Sequence, residues 1–397
     1  RPQAYVYFGG QQITPGGHMY FTFNDDHIMM RETARKIAEE KLKPLAKEID
    51  ARETPDLDTL RELGELGFMA MMVPEEYGGA GLDTVSYVIV MEEFSKVCAS
   101  TGVCVSVNNS LFADGVYKFG TEEQRKKYLP PLGVGQAQAC LGLTEPGAGT
   151  DVGSTATTAV KDGSDYIING KKHFVTNGGF ADYLMVLVST EPGTGHRGLS
   201  MVIVEKDTPG FSVGRHELKL GIRGSDTSEL LFDNCRIPQA NRLGEEGRGL
   251  KISLTILDGG RIGIAAQALG IAQAAYDDAV AYAKERTQFG KPIAEFQAIA
   301  FKIAEMATEL EAARLMTYKA AWLKDQGEDY KMASSMAKLY ASEASIRITN
   351  EALQIHGGYG YVRDFNVERY YRDARITTIY EGTSEAQKIV ISRDILR

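Results

Sequence analysis

Apolar positions recur at helical spacing over the first third of the chain. Between Asp26 and Asp50, Met30, Ala34, Ile37, Ala38 and Leu42 share one face and charges occupy the other, which predicts an amphipathic helix. Tyr87 to Cys98 is mostly apolar, as expected of a helix covered on several sides. Thr121 and Gln124 have the spacing of a capping box opening a further short helix. From about residue 136 the period changes. Tyr166–Ile168, Leu184–Val188, Met201–Val204 and Leu230–Phe232 are short β-branched or aromatic runs, and their spacing predicts an antiparallel β domain. Asp162–Asp165, the Asn169-Gly170 pair and Glu191–Gly198 read as its turns. Beyond residue 250 the helical period returns, and Ile299, Ile303, Met306, Leu310 and Ala313 form the core stripe of a long antiparallel bundle.

The expected architecture is mainly α with a central β domain. An N-terminal helical domain covers 19–135, a middle β domain 136–249 and a C-terminal bundle 250–397. There is no internal repeat, and without alternating βα units the order excludes a doubly wound sheet or a TIM barrel. Residues 1–18 are Gly-rich and aperiodic and run into His18-Met19. They read as a tag or vector remnant before a native Met19.

Charge narrows the choice of ligand. With 53 acidic against 44 basic side chains the net charge is −9, which argues against nucleic acid. An anionic ligand needs a local basic pocket working against that field. No run of 18 apolar residues is present, so no membrane span is expected. Cys98, Cys104, Cys140 and Cys235 are scattered, and no histidines pair at metal-ligand spacing. Free thiols in a reducing compartment and no metal site are expected.

Five segments can carry chemistry. Thr144–Asp151 (TEPGAGTD) has glycines that let backbone N–H groups approach a ligand, with Thr144 and Thr150 able to bond heterocycle or phosphate oxygens; it also fits a domain-linking turn. In His173–Gly179, Phe174 can wall a flat cofactor and Thr176 can bond its edge, or the segment is a hairpin turning at Asn177-Gly178. Around Glu285–Ile293, Arg286 and Lys291 are cations available to a pyrophosphate, unless Gly290 and Pro292 merely end a helix. Gln354–Tyr361 is a glycine-rich turn or backbone-approach site, and its His356 reads as a hydrogen-bonded turn histidine. Last, Glu381 sits between Tyr380 and Gly382 ahead of Thr383-Ser384. Burial would raise its pKa and make it a general base near neutrality. The alternative is a carboxylate stabilised at a helix N-terminus.

In this order and at these separations the segments resemble the acyl-CoA dehydrogenase family, most of all its short-chain (butyryl-CoA) members. The resemblance runs from Asp26 to Arg397 and includes LDGGRIGIAAQALGIAQAA (257–275) and RDARITTIYEGTSEAQ (372–387). It implies a helical domain, a β-barrel-like middle domain and a four-helix bundle, with FAD between the last two. Leu143, Thr144, Gly149 and Thr150 would hold the isoalloxazine edge, flanked by Phe174, Val175 and Thr176; many members carry tryptophan in place of Phe174. Arg286, Gln288 and Phe289 of one subunit would reach the adenine-diphosphate half of the FAD held by another. Gln297, Gln354, Gly357 and Gly358 would add to that shared site, and Thr383 and Glu385 would touch the dinucleotide. A shared site implies a dimer, assembled into a homotetramer.

The same resemblance makes Glu381 the catalytic base, taking the α-proton of an acyl-CoA while the β-hydrogen leaves as hydride to flavin N5. The Glu381 backbone N–H and a flavin ribityl hydroxyl would hold the thioester oxygen. Tyr380, Gly382, Thr150, Asp258 and Arg261 would contact the substrate. Isovaleryl- and long-chain-type members carry their glutamate near residue 260, where this chain has Gly260. Side chains around Val90–Phe94 and Val105–Asn109 would set pocket depth. Electrons would pass to electron-transfer flavoprotein, in the bacterial cytoplasm or, in a eukaryote, the mitochondrial matrix. A silent FAD-binding scaffold, an enoyl-CoA reductase, and a dehydrogenase for aromatic or alicyclic thioesters share the same motifs; an oxidase would need a longer chain.

Overall fold

The computed structural model describes residues 23–396, so the expected remnant at 1–18 and Met19 lie outside the described residues. Seven helices open the chain: α1 (Asp25–Ile37), α2 (Ala46–Arg52), α3 (Leu57–Glu65), α4 (Thr84–Val97), α5 (Ala99–Ser106), α6 (Asp114–Phe119) and α7 (Glu122–Gly133). The single helix expected over 26–50 is interrupted. Ala38–Leu42 is a π turn in which the Lys43 N–H donates to the Ala38 carbonyl, and the chain restarts as α2. The α7 capping box forms as expected, with the Gln124 N–H on Thr121 Oγ1 at 3.2 Å and the Thr121 N–H on Gln124 Oε1 at 3.0 Å.

Helix α4 is buried on every side. Its Glu92 and Glu93 would be costly there without partners. Arg35 meets Glu93 at 2.8 Å, while Arg314 at 3.2 Å and the Tyr318 hydroxyl at 2.6 Å meet Glu92. These contacts tie α4 to α1 and to the C-terminal helices.

The middle of the chain is an eight-stranded sheet of β1 (Ala139–Gly142), β2 (Thr158–Asp162), β3 (Asp165–Thr176), β4 (Tyr183–Ser189), β5 (Leu199–Glu205), β6 (Phe211–His216), β7 (Thr227–Pro238) and β8 (Arg242–Leu243). Its order is β6-β7-β3-β2-β4-β5-β8, with β1 beside β4. The antiparallel expectation needs one correction. β1 runs parallel to β4, and β2 touches β4 in parallel, because β1 enters from the helices and meets β4 only after the β2–β3 hairpin has intervened. Strand β4 also shows how the layers join. Leu184, Val186 and Val188 point into the sheet's own core, while Met185 and Leu187 point into the helical core.

A second correction concerns Asn169-Gly170, which is no turn but a bulge inside β3. Gly170 has φ +142°, and a Cβ there would lie 2.6 Å from Thr157 Oγ1, so the pair serves a close strand approach. The hairpin turn is Asp162–Asp165, as expected, with Gly163 at φ +62°.

Helix α8 (Gly249–Glu285) leads to the short hairpin β9 (Thr287–Gln288) and β10 (Lys291–Pro292). Then come α9 (Gln297–Asp325), α10 (Lys331–His356), α11 (Val367–Ile376) and α12 (Ser384–Ile395). On α9, Met306, Leu310 and Ala313 are buried and Ile299 and Ile303 pack against the core, as their spacing requires. Both α11 and α12 pack on α10 and complete the bundle.

Candidate active site

The tight turn between α11 and α12 holds Glu381. Glu381 has φ +50° and Gly382 φ +93°, so two successive residues are left-handed and the first is not glycine. The turn is clamped from three sides. The Gly382 carbonyl accepts from Lys338 Nζ at 2.6 Å and from Gln387 Nε2 at 2.9 Å. Thr383 caps α12 through the Ala386 N–H at 3.2 Å. The Tyr380 hydroxyl donates to Gln267 Oε1 on α8.

The clamp aims the Glu381 carboxyl at α8. Its Oε2 is sealed from solvent yet has no hydrogen-bond partner, and a Cβ on Gly260 would stand only 2.2 Å from it. The carboxyl therefore occupies the space that glycine leaves. Burial raises its pKa to about 7, a rise held in check by the charges of Lys338 and Arg261. Arg261 itself is paired with Asp258 at 2.5 Å and donates to Ser335 Oγ at 3.2 Å.

Asp258 and Arg261 line a cavity of about 650 Å³, whose walls also carry Arg197, Arg248, Lys251, Lys331 and Arg393 against the single further acid Asp394. This is the local cationic pocket that an anionic ligand requires in a chain of net charge −9.

A second edge is built from 143–150 and 173–176. The His173 N–H donates to the Thr144 carbonyl at 2.7 Å, which joins the two segments. Beneath them the fully buried Lys172 donates to Glu145 Oε1 at 2.6 Å and to the Leu143 carbonyl at 3.2 Å. Glu145 also accepts the Ala156 and Thr157 N–H groups at 2.7 and 3.0 Å. Above this anchored base, Phe174 is 61% exposed at φ +55°, at a second bulge in β3. A large apolar ring held outward by strained backbone offers a surface on which a flat ligand could stack. Gly149 faces open space. Asn177 is not the tip of a solvated hairpin; it is buried and donates to the Cys104 and Ala139 carbonyls, both at 3.2 Å.

The remaining site residues gather elsewhere. Arg286 lies 5.5 Å from the Tyr359 ring, and Gln288, Gln297 and Gln354 are exposed. Phe289 is 94% exposed at φ +51°, and Gly357 and Gly358 face open space. Among the described residues no hydrogen bond or ring contact joins this patch to the 143–176 edge. His356 is the last residue of α10 and not a turn residue as expected; its Nδ1–H donates to the Ala352 carbonyl at 2.8 Å and its ring stacks on Tyr282, a structural role. Sequence reasoning missed Lys338, Gln387, Gln267 and Lys172. A signal existed for Lys338, a charge in the stripe Ser334, Lys338, Ala341, Ser345, Ile348 that α10 buries.

Comparisons with known proteins cover most of the chain. Residues 24–136, 140–235 and 247–396 match the profiles for the N-terminal, middle and C-terminal domains of acyl-CoA dehydrogenases. A short-chain-specific acyl-CoA dehydrogenase of Clostridium acetobutylicum is 48% identical over 379 residues, 96% of this chain and all of the relative. The butyryl-CoA dehydrogenase structure from Megasphaera elsdenii superposes with a TM-score of 0.94 at 45% identity, covering 96% of this chain and all of that one. A chain in the structure of the electron transferring flavoprotein of Acidaminococcus fermentans also reaches a TM-score of 0.94, at 49% identity over the same shares.

Proposed function

The chain belongs to the acyl-CoA dehydrogenase family, and from that premise we propose that it converts a short-chain acyl-CoA thioester to the 2-enoyl-CoA with Glu381 as the base. The observation that carries this reading is the unpartnered, solvent-sealed Glu381 Oε2 beside Gly260, next to a cavity with cationic walls. The cations suit the phosphates of coenzyme A; Asp258 and Arg261 would contact the CoA part of the substrate, and Thr150, Tyr380 and Gly382 would complete the substrate site.

Members of this family use FAD. The residues present fit it: an outward aromatic ring at Phe174, open backbone at Gly149, Gly357 and Gly358, and an anchored 143–150 loop. Leu143, Thr144, Gly149, Thr150, Phe174, Val175 and Thr176 would hold the ring system, with Thr383 and Glu385 at the dinucleotide. Arg286, Gln288, Phe289, Gln297, Gln354, Gly357 and Gly358 would serve the cofactor of a second copy, which accounts for their separation from the first group and for the exposed Phe289. When bound, FAD supplies the acceptor for the electron pair that leaves Cβ with its hydrogen.

The chain's own task is to remove the α-proton. Cα–H of a thioester is a far weaker acid than a carboxyl group, so the base must be strengthened and the enolate charge stabilised. Burial does the first by raising Glu381 to about 7. For the second, the Glu381 backbone N–H makes no hydrogen bond among the described residues and can donate to the thioester oxygen. Because the base works deprotonated, kcat/KM should rise with pH to a plateau with an apparent pKa near 7. A steady-state profile flat from about pH 5.5 to 8 contradicts this assignment.

Electron transfer to an electron-transferring flavoprotein is supported by the similar chain in such a structure, and the 48% identity to a short-chain-specific enzyme supports a compact acyl group. Among the described residues no helix is long and apolar enough to cross a membrane. The reading is tested by mixing the FAD-loaded protein anaerobically with acyl-CoAs of increasing length. Butyryl-CoA should bleach the flavin fastest. No bleaching by any member of the series, or a preference for long chains, overturns it.

A further inference from the structure

Lys338 lies inside α10, two turns from its start, with no exposed surface. A buried ammonium is costly unless opposite charge answers it. Yet among the described residues Lys338 makes no salt bridge, and its only hydrogen bond is to the neutral Gly382 carbonyl at 2.6 Å. The strongest answer is Glu381, one residue before that carbonyl, whose field acts on Lys338 as the Lys338 field acts on Glu381. Arg261, the other cation bearing on Glu381, is already paired with Asp258. Of the other groups around the pair, Tyr87 from α4 is bonded to Ser106 and Tyr380 to Gln267, while Arg261 opposes the Lys338 charge and the Glu343 and Glu385 carboxylates favour it less than Glu381 does.

We propose that Lys338 is a positioning residue for the reaction, one ammonium that pins the strained Glu381–Gly382 turn through the Gly382 carbonyl and serves as the unpaired counter-charge that keeps the Glu381 carboxyl ionised. This rests on Glu381 being the base. Its two functions separate by chemistry. Pinning the carbonyl needs only a donor, whereas ionising the carboxyl needs a charge. Glutamine at 338 can keep the first and lose the second, methionine loses both, and arginine keeps the charge.

The test is the pH profile of butyryl-CoA oxidation by FAD-loaded wild type, Lys338→Met, Lys338→Gln and Lys338→Arg. It is read between about pH 5.5 and 7.5, below the value of about 8 to which burial lowers Lys338. The acid limb of kcat/KM should move up by about one pH unit in the Met and Gln variants, a tenfold loss at pH 6 that narrows as pH rises. In the Arg variant it should stay where wild type has it. FAD content and thermal unfolding, measured on each variant, separate loss of the charge from loss of the fold, and Gln stands in if Met does not fold. An acid limb that stays put in a folded, charge-free variant, or that moves equally in Arg, overturns the proposal. Such a result leaves Glu381 as base untouched, since that assignment falls only if replacing Glu381 itself spares the reaction.

Discussion

Glu381→Gln keeps the fold and the bound FAD and loses turnover by about 10³-fold, within the range that a positioned general base contributes. Glutamine has nearly the same shape, and Oε2 makes no hydrogen bond whose loss would disturb the turn. The new amide leaves a buried donor unpaired, a cost of about 1–3 kcal/mol, but removes a carboxyl whose ionised form burial already disfavours. Stability should therefore change little while chemistry collapses. Thermal unfolding, flavin content and steady-state oxidation of butyryl-CoA together check this. Turnover within tenfold of wild type discredits Glu381 as the base.

The second large effect is expected from one methyl group. In Gly260→Ala the new Cβ would lie 2.2 Å from Glu381 Oε2 and 2.8 Å from Leu111 Cδ2, both ends of flexible side chains. The backbone of α8 need not move, and replacing glycine within a helix gains about 0.8–1 kcal/mol of propensity. The carboxyl must swing aside, and a misplacement of about 1 Å at a reacting group costs on the order of 10²-fold. The expected variant is as stable as wild type or more so and about a hundredfold slower. Activity within threefold of wild type would show that the carboxyl does not use the space at Gly260.

Much of the fold is visible in the periodicity because most elements bury one face. The α9 stripe and the runs inside β4, β5 and β7 were each placed by spacing alone. The failures occur where a tertiary contact overrides a local signal. Asn169-Gly170 has the residues of a tight turn, yet the close passage of Thr157 makes it a bulge. The π turn at Ala38–Leu42 leaves the apolar spacing of 26–50 intact, so nothing in the pattern announces it.

The site was legible in part for the same reason. Glu381, Phe174 and the 143–150 loop stand in unusual local composition. Lys172 and Gln267 do not, and the charge at Lys338 in a buried stripe says nothing of what it serves; each matters through a partner far along the chain, Glu145, Tyr380 and Gly382 respectively. The cationic walls of the cavity were equally hidden, because Arg197, Lys251, Lys331 and Arg393 come from four separate segments.

The central claim is that a single buried carboxyl takes the α-proton. Its most direct test is one anaerobic mixing of butyryl-CoA with the FAD-loaded wild type and, in parallel, with Glu381→Gln. Wild type should lose its oxidised-flavin absorbance within the first turnover while the variant's spectrum persists with substrate bound. Bleaching of the variant at a rate close to that of wild type would contradict the account.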